Sequence, residues 1–169
     1  MPGYGLAAAD EGAGLLPWSW AVERLVSSER YWVATVGGGR PHLMPVWGLW
    51  LDDRLWFSSS PGSRKSRNLA ASDVVTVATD DPRRPVVVEG RAVRVATDDV
   101  DALAAFTDGV NAKYTVDYEV SFYAENAVFA VEPTVVIGLD EDDFTGSPTR
   151  WRFDASGCST PRGTFSSWL

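Results

Sequence analysis

The sequence predicts a single, mainly β domain with short helices, an α+β fold whose strands close into a small barrel. The chain has 169 residues, of which 45% are apolar and 22% charged, as in ordinary globular domains. Runs of β-branched and aromatic residues recur between turn residues, and only short segments between them have helical spacing. Six or seven such strands are expected to close into a barrel, because closure pairs the edge strands that an open sheet would leave exposed.

The composition excludes several classes of function. A net charge of -8 argues against sequence-independent nucleic-acid binding, which needs a basic surface. One cysteine and one histidine exclude a disulfide framework and most transition-metal sites, so we predict no metal ligands. No run approaches the roughly 20 apolar residues of a membrane span, and residues 1–15 lack the basic start of a signal peptide. We therefore expect a cytoplasmic protein without nucleic-acid or membrane partners.

The first half of the chain is predicted to hold one helix and three strands. Ser19 is a suitable N-cap for a helix that ends near Ser28. Three strands follow, at residues 31–36, 41–51 and 54–59. The middle strand is apolar on both faces, which predicts burial on both sides. Glycines and a pair of aspartates supply the turns, so the three strands are interpreted as an antiparallel meander.

The second half alternates helices and strands. Its predicted elements are a helix at 64–71, strands at 74–79 and 86–95, helical segments at 98–107 and 110–114, and strands at 127–139 and 150–153. Gly90 interrupts its strand and indicates a β-bulge. The predicted barrel domain spans residues 16–153, between a loose arm at 1–15 and a tail at 154–169 that is rich in serine, glycine and proline.

Residues 41–69 contain the candidate ligand-binding motif of the sequence. The strand Met44–Trp47 is predicted to pair with residues 55–59, after which the chain turns into a helix that opens with Arg64, Lys65 and Arg67. The free N–H groups and the dipole at a helix N-terminus favour a phosphate, and nearby serine hydroxyls add donors. Cations there oppose the dipole, which a bound polyanion would offset. A solvated basic turn is the alternative interpretation.

Three other residues have two interpretations each. His42 is either a ligand or base, or a structural histidine on its strand, and the structural role is the default. Trp47 either packs in the core or contacts a ligand, and its neighbourhood slightly favours the ligand. Cys158 lies in the tail, where an incidental free thiol is the default.

Several segments resemble a known family in the family's own order. They are Tyr31–Val36, Gly39–Trp47, Leu55–Ser59, Ser63–Leu69, Val87–Ala92 and Thr149–Phe153. Together they look like the flavin and deazaflavin oxidoreductases with the FMN-binding split-barrel fold, within the pyridoxamine 5'-phosphate oxidase-like superfamily. The step from a strand into Ser63-Arg64-Lys65 is similar to that of FMN-binding enzymes. The longer run through Leu69 looks more like the actinobacterial branch that uses the deazaflavin coenzyme F420.

This resemblance implies a homodimer with two equivalent cofactor sites at the subunit interface. The flat ring would lie against Met44–Trp47, the phosphate would sit at the start of the basic helix, and residues 150–152 of the other subunit would close the site. Lys113 and Tyr114 would also approach it. The cofactor-binding residues implied are Met44, Pro45, Val46, Trp47, Ser58, Ser59, Arg64, Lys65, Asn68, Arg150, Trp151 and Arg152.

The function implied is an oxidoreductase that uses F420 as hydride donor to reduce an unsaturated, conjugated small molecule. Such a cofactor performs the chemistry while the protein orients it, so no catalytic residue is named. Three alternatives stay open: an FMN-dependent oxidase or reductase, a non-catalytic carrier of a cofactor or tetrapyrrole, and a purely structural dimeric barrel.

Overall fold

The computed structural model describes residues 15–153. The helices are α1 Trp18–Ser27, α2 Arg64–Ala71, α3 Val100–Tyr114 and α4 Val120–Ala124, with one 3₁₀ turn at Glu141–Asp143. The strands are β1 Tyr31–Gly37, β2 Arg40–Val46, β3 Gly48–Leu51, β4 Arg54–Ser59, β5 Val74–Thr79, β6 Val86–Arg94, β7 Ala127–Gly138 and β8 Thr149–Arg152. The arm and tail predicted from the sequence, and Cys158, lie outside these residues except for Leu15.

All strand pairs are antiparallel, and they form one curved sheet. Its order is β2-β1-β5-β6-β7-β4-β3, with β8 added to β7 off this path. The mainly β class and the split half-barrel are therefore confirmed, with eight strands in the described residues rather than six or seven. The two end strands, β2 and β3, are joined in sequence by a single residue, Trp47.

The predicted meander is wrong at its middle strand. Residues 41–51 are two strands that break at Trp47, and they lie at opposite ends of the sheet path. β2 pairs with β1, whereas β4 pairs with β3 and β7, so the predicted pairing of Met44–Trp47 with residues 55–59 does not occur. The position of an apolar strand is ambiguous in the sequence, because an edge strand with exposed apolar residues has the same residue pattern as a buried strand. Leu43 and Met44 are such exposed residues.

The sheet is covered on both faces at β4. Leu55 and Phe57 point into a core that also holds Tyr31, while Trp56 between them joins a second cluster on the opposite face. Alternation along a strand sends neighbouring side chains to opposite faces. Helices α3 and α4 cover this second face through Leu103, Phe106, Val110 and Tyr123. Both surfaces of the strand leading to the basic helix are thus buried, which holds that strand in place.

Most other elements occur where the sequence predicts them. Helix α2 and strand β5 have the predicted bounds, β6 and β8 lie within one residue of theirs, and the register of β6 and β7 shifts between Glu89 and Gly90, which confirms the bulge. The predicted N-cap Ser19 is wrong, because Pro17 already has the extended conformation of an N-cap and the helix begins at Trp18. Helix α4 was not predicted from the sequence.

The predicted break within α3 is also wrong. The helix runs without interruption through Gly109, where a Cβ atom would lie 2.5 Å from Leu49 Cδ1. The glycine therefore allows the helix to pack closely on β3 and does not end it. Its intrinsic cost in a helix, about 1 kcal/mol relative to alanine, is offset by this packing.

Candidate cofactor-binding site

Four serines connect β4 to α2 through a continuous set of hydrogen bonds. Ser63 is the N-cap of α2, and its Oγ accepts a hydrogen bond from the Ser66 N–H at 3.0 Å. The hydroxyls of Ser59 and Ser63 lie 2.8 Å apart, and Ser66 Oγ donates to the Ser60 carbonyl at 2.8 Å. We call Ser59, Ser60, Ser63 and Ser66 the serine turn. Its hydroxyls converge on the first turn of the basic helix.

Lys65 is the buried cation of this turn. Its side chain is only 7% exposed, and no carboxylate of residues 15–153 lies within ion-pair distance of its Nζ. The Nζ lies 5.7 Å from the centre of the Phe57 ring. Burial lowers the pKa of Lys65. A cation taken partly out of water without a counter-ion raises the free energy of the folded state, and an anion bound there would lower it.

The other polar residues of α2 differ in what they face. Arg64 is exposed, and Arg67 is exposed and donates to the Gly62 carbonyl. Asn68 is buried, and its Nδ2 donates to Thr35 Oγ1 at 3.0 Å. The side chain of Asn68 is therefore committed to holding the helix on β1, although the sequence implies a cofactor contact. Leu69 packs in the core and anchors the helix there.

The segment Met44–Trp47 lies at the open edge of the half-barrel. Met44 is 47% exposed and Trp47 is 41% exposed, while Val46 is half-buried. Among the described residues β2 has β1 as its one strand partner, so the other main-chain edge of β2 is free. Ser58 is half-buried on β4, opposite Val128 of β7. Free main-chain groups beside exposed apolar side chains suit a flat ring with polar edges.

A second polar cluster forms where the chain bends between β2 and β3. A Cβ atom at Gly48 would lie 2.7 Å from the Trp56 carbonyl oxygen and 3.0 Å from the Tyr31 ring, so only glycine fits there. The Gly48 N–H donates to Tyr114 Oη at 2.9 Å. The Gly48 carbonyl accepts from Lys113 Nζ at 3.2 Å. We call Tyr31, Trp47, Gly48, Lys113 and Tyr114 the Lys113 cluster.

Aromatic and ionisable groups pack tightly in this cluster. The rings of Trp47 and Tyr114 are stacked, with centroids 4.4 Å apart and planes 5° from parallel. Lys113 Nζ donates to Tyr31 Oη at 2.8 Å, and Tyr31 Oη donates to the Leu25 carbonyl. Burial lowers the pKa of Lys113 to about 8, against the opposing effect of nearby carboxylates. Burial also raises the pKa of Tyr31, so its hydroxyl stays protonated.

Each lysine approaches one member of the same cross-strand pair. Gly48 is directly opposite Phe57 in the β3–β4 hairpin, Lys65 approaches the Phe57 ring, and Lys113 contacts the Gly48 carbonyl. The chain has no other lysine. Neither lysine has an ion-pair partner in the part of the chain that the structure describes. Two positive groups that are 48 residues apart in sequence thus lie next to members of one residue pair.

Residues 150–152, which the resemblance places at the cofactor of the other subunit, differ in how buried they are. Trp151 is only 2% exposed and packs in the core of its own chain, 5.5 Å from Trp18 between ring centroids. Its ring is therefore unavailable to a neighbouring subunit. Arg152 is exposed on β8, and Arg150 is half-buried. The arginines are the members of this segment that can reach a ligand beyond their own core.

His42 and the predictions about metal ligands and membrane spans can be compared with the structure directly. His42 is half-buried on the edge strand β2, opposite Thr35, and not on a strand covered on both sides. No group of three or more potential metal ligands occurs within residues 15–153. No helix in that range is long and apolar enough to cross a membrane.

Sequence reasoning missed Tyr31 and Gly48. Lys113 and Tyr31 are 82 positions apart, so no local pattern could have indicated their hydrogen bond. The one available signal was Gly48 itself, a glycine inside an apolar run, which often marks a close approach of the backbone. The serine turn, in contrast, lies within eight consecutive residues and was visible in the sequence.

Comparison with known proteins identifies the family of the chain. The sequence profile of the pyridoxamine 5'-phosphate oxidase family matches residues 21–140. The chain belongs to this family. The family resemblance inferred from the sequence is therefore confirmed. Among curated proteins, no sequence matched the chain.

Solved structures show the same fold at low sequence identity. The conserved hypothetical protein Rv2991 from Mycobacterium tuberculosis is 23% identical, with a TM-score of 0.67 over 76% of this chain and 87% of that one. A structure described as an F420 reductase is 23% identical, with a TM-score of 0.56 over 72% and 98% of the two chains. An FAD-binding protein from Mesorhizobium loti is 23% identical, with a TM-score of 0.58 over 73% and 94%.

Proposed function

We propose that the protein is an oxidoreductase that uses coenzyme F420 as hydride donor to reduce an unsaturated, conjugated small molecule. Family membership supports flavin-like cofactor chemistry, and one of the similar folds is that of an F420 reductase. The observation that carries the proposal is Lys65, a buried cation at the serine turn without an acidic partner among the described residues.

The serine turn has the donors that a phosphate needs. The backbone N–H groups of Arg64 and Lys65, the first two helical residues, have no acceptor within α2. The Lys65 ammonium adds a charged donor. The hydroxyls of Ser59, Ser63 and Ser66 are hydrogen-bonded to one another and to the Ser60 carbonyl, and they fix the shape of the turn. Arg64 and Arg67 lie on the exposed side of the same turn and raise its local positive potential. This local charge is required because a protein with a net charge of -8 otherwise repels an anionic cofactor.

The flat ring is proposed to lie along the main chain of Met44–Trp47, with its polar edge on the free main-chain groups of β2 and with the exposed indole face of Trp47 left open to a substrate. A second copy of the chain would cover it. The outer face of β1 and β2 exposes Trp32 and Leu43, which suits burial against another subunit. In such a homodimer the arginines of β8, Arg150 and Arg152, would approach the partner's cofactor.

When bound, the reduced cofactor supplies a hydride to an electron-poor carbon of the substrate. The residues of this chain bind its phosphate at the serine turn, orient its ring along β2 and shield one face from water. These are binding and positioning roles, and they agree with a site that has no histidine–cysteine or histidine–carboxylate constellation within residues 15–153.

A second candidate is an FMN-dependent oxidase or reductase with the same phosphate site. The pyridoxamine 5'-phosphate oxidase profile and the FAD-binding fold relative favour a flavin. Both cofactors carry a phosphate next to a flat tricyclic ring, so the serine turn alone does not select between them.

The test is a titration of the purified protein with F420 and with FMN, followed by cofactor fluorescence. We expect F420 to bind more tightly than FMN. Lys65→Met should weaken binding by about 1.5–3 kcal/mol, which is tenfold or more, because it removes a charge-assisted hydrogen bond. Arg67→Met is the matched control, since Arg67 is an exposed cation two residues later, and it should change affinity by less than about threefold.

The outcomes separate the candidates. Tight FMN binding without F420 binding would favour the flavin enzyme. Binding of neither cofactor, or equal affinities for wild type and Lys65→Met, would contradict a phosphate site at the serine turn.

A further inference from the structure

We propose that Lys113 is a substrate-binding residue whose ammonium group donates a hydrogen bond to a carbonyl-type oxygen of a planar, conjugated substrate beside Trp47. The inference rests on the proposed function, because it names the substrate class for that site. It assigns a role to the second lysine of the chain, which contacts Gly48, whereas the phosphate-binding Lys65 approaches Phe57, the cross-strand partner of Gly48.

Trp47 offers a rigid flat surface. Tyr114 covers one face of the indole in a nearly parallel stack, yet 41% of Trp47 stays exposed. The Tyr114 hydroxyl accepts from the Gly48 N–H, and it can donate to the carbonyl oxygen of Glu29 at 2.8 Å or of Gly48 at 3.0 Å. These hydrogen bonds hold the Tyr114 ring in place against the indole. A planar, conjugated molecule gains most from a flat surface that is already immobilised.

The Lys113 ammonium group, next to Trp47, has one N–H donor that makes no hydrogen bond within the described residues. An ammonium group has three N–H donors. Two of them go to Tyr31 Oη and to the carbonyl of Gly48, the residue that follows Trp47, and no third partner occurs among the described residues. One remaining donor suits one oxygen atom, whereas the first N–H groups of α2 together with the Lys65 ammonium suit a phosphate.

The surroundings of Lys113 make this donor effective. The ionisable groups that face it are Tyr31 and Tyr114, and the carboxylates of Asp80 and Glu29 act from farther away without forming an ion pair. Burial lowers the pKa of Lys113 to about 8, so the group is mostly charged at neutral pH but is poorly solvated. A poorly solvated cation stabilises negative charge on a nearby oxygen more than an exposed one does. That is the charge a conjugated carbonyl group gains when its double bond accepts a hydride.

The presence of only two lysines makes a direct test possible. Protein labelled with ¹³C-lysine gives two side-chain signals by NMR, and Lys65→Met assigns them. The probe is trans-cinnamate, a planar conjugated carboxylate, and cinnamyl alcohol is the uncharged ligand of similar shape that lacks the carboxylate. We expect cinnamate to shift the Lys113 signal and raise its pKa, and we expect the alcohol to leave both unchanged.

Variants complete the test on the whole chain. Lys113→Met should weaken cinnamate binding at least tenfold, whereas Lys113→Arg, which keeps a cationic donor, should stay within about threefold of wild type. Lys65→Met should leave the cinnamate affinity unchanged while it weakens cofactor binding. Should Lys113→Met fail to fold, the wild-type signals and Lys113→Arg still decide.

Two results would overturn the inference. One is equal cinnamate affinity in wild type and Lys113→Met, and the other is a cinnamate-induced shift confined to the Lys65 signal. Either result leaves the proposed function intact if the cofactor titration succeeds, so the two failures are distinguishable.

Discussion

The serine turn and the Lys113 cluster each hold one half-buried or buried lysine, but they are built in different ways. The contacts of the serine turn are local, since its four serines lie between positions 59 and 66. The Lys113 cluster joins β1, the bend before β3 and the end of α3. The first depends mainly on a correct helix start, and the second depends on the whole sheet being closed to the right spacing. Mutations should therefore affect them unequally.

Among these mutations, Gly48→Ala in the Lys113 cluster should lower the unfolding free energy most. The new methyl group would overlap the Trp56 carbonyl oxygen at 2.7 Å, so β3 or Tyr31 must shift, and we expect a loss of about 2–3 kcal/mol in unfolding free energy. Urea unfolding measures it. Gly62→Ala is the control, because nothing lies within 4 Å of a Cβ there. The comparison fails if the two variants are equally stable.

A smaller effect is expected from Thr35→Val, which acts on the other region. The substitution keeps the side-chain shape but removes the acceptor for Asn68 Nδ2, and an unpaired buried amide costs about 1–2 kcal/mol. Because Asn68 holds α2 on β1, cofactor affinity should fall as well, while the Lys113 NMR signal stays in place. Thr76→Val, on the neighbouring strand and without a side-chain hydrogen bond in the described structure, is the control. A shift of the Lys113 signal in Thr35→Val would contradict the independence of the two regions.

The smallest effect should be a pH dependence of stability that belongs to Lys113. The folded-state pKa of about 8 lies below the ordinary value of 10.5, so between these values the unfolded chain holds more protons than the folded one. Unfolding free energy of the wild type should therefore rise relative to Lys113→Met between pH 8 and 10.5, by on the order of 1 kcal/mol after solvent screening. Urea unfolding at several pH values measures it. A difference that stays flat with pH would show that Lys113 titrates normally.

The same contrast explains what the sequence could predict. Helix α2 and its cations follow from neighbouring residues, so the sequence predicts them with the correct bounds. Strand β2 was misassigned because burial of residues 41–51 depends on which strands lie beside them, and local letters do not specify that. Trp151 was implied at a ligand site by family resemblance, but in this chain its ring fills the core. Tyr31 was invisible as a site residue because its partner lies 82 positions away.

The connection between the two end strands has a geometric consequence. Only Trp47 separates the last residue of β2 from the first residue of β3, so these two positions are tethered within roughly 7 Å of each other. Away from this tether nothing in the chain connects β2 to β3 directly, so the separation of the two strands is fixed at the Trp47 end alone. Lengthening the tether by one residue would relax this separation without changing any side chain beside it.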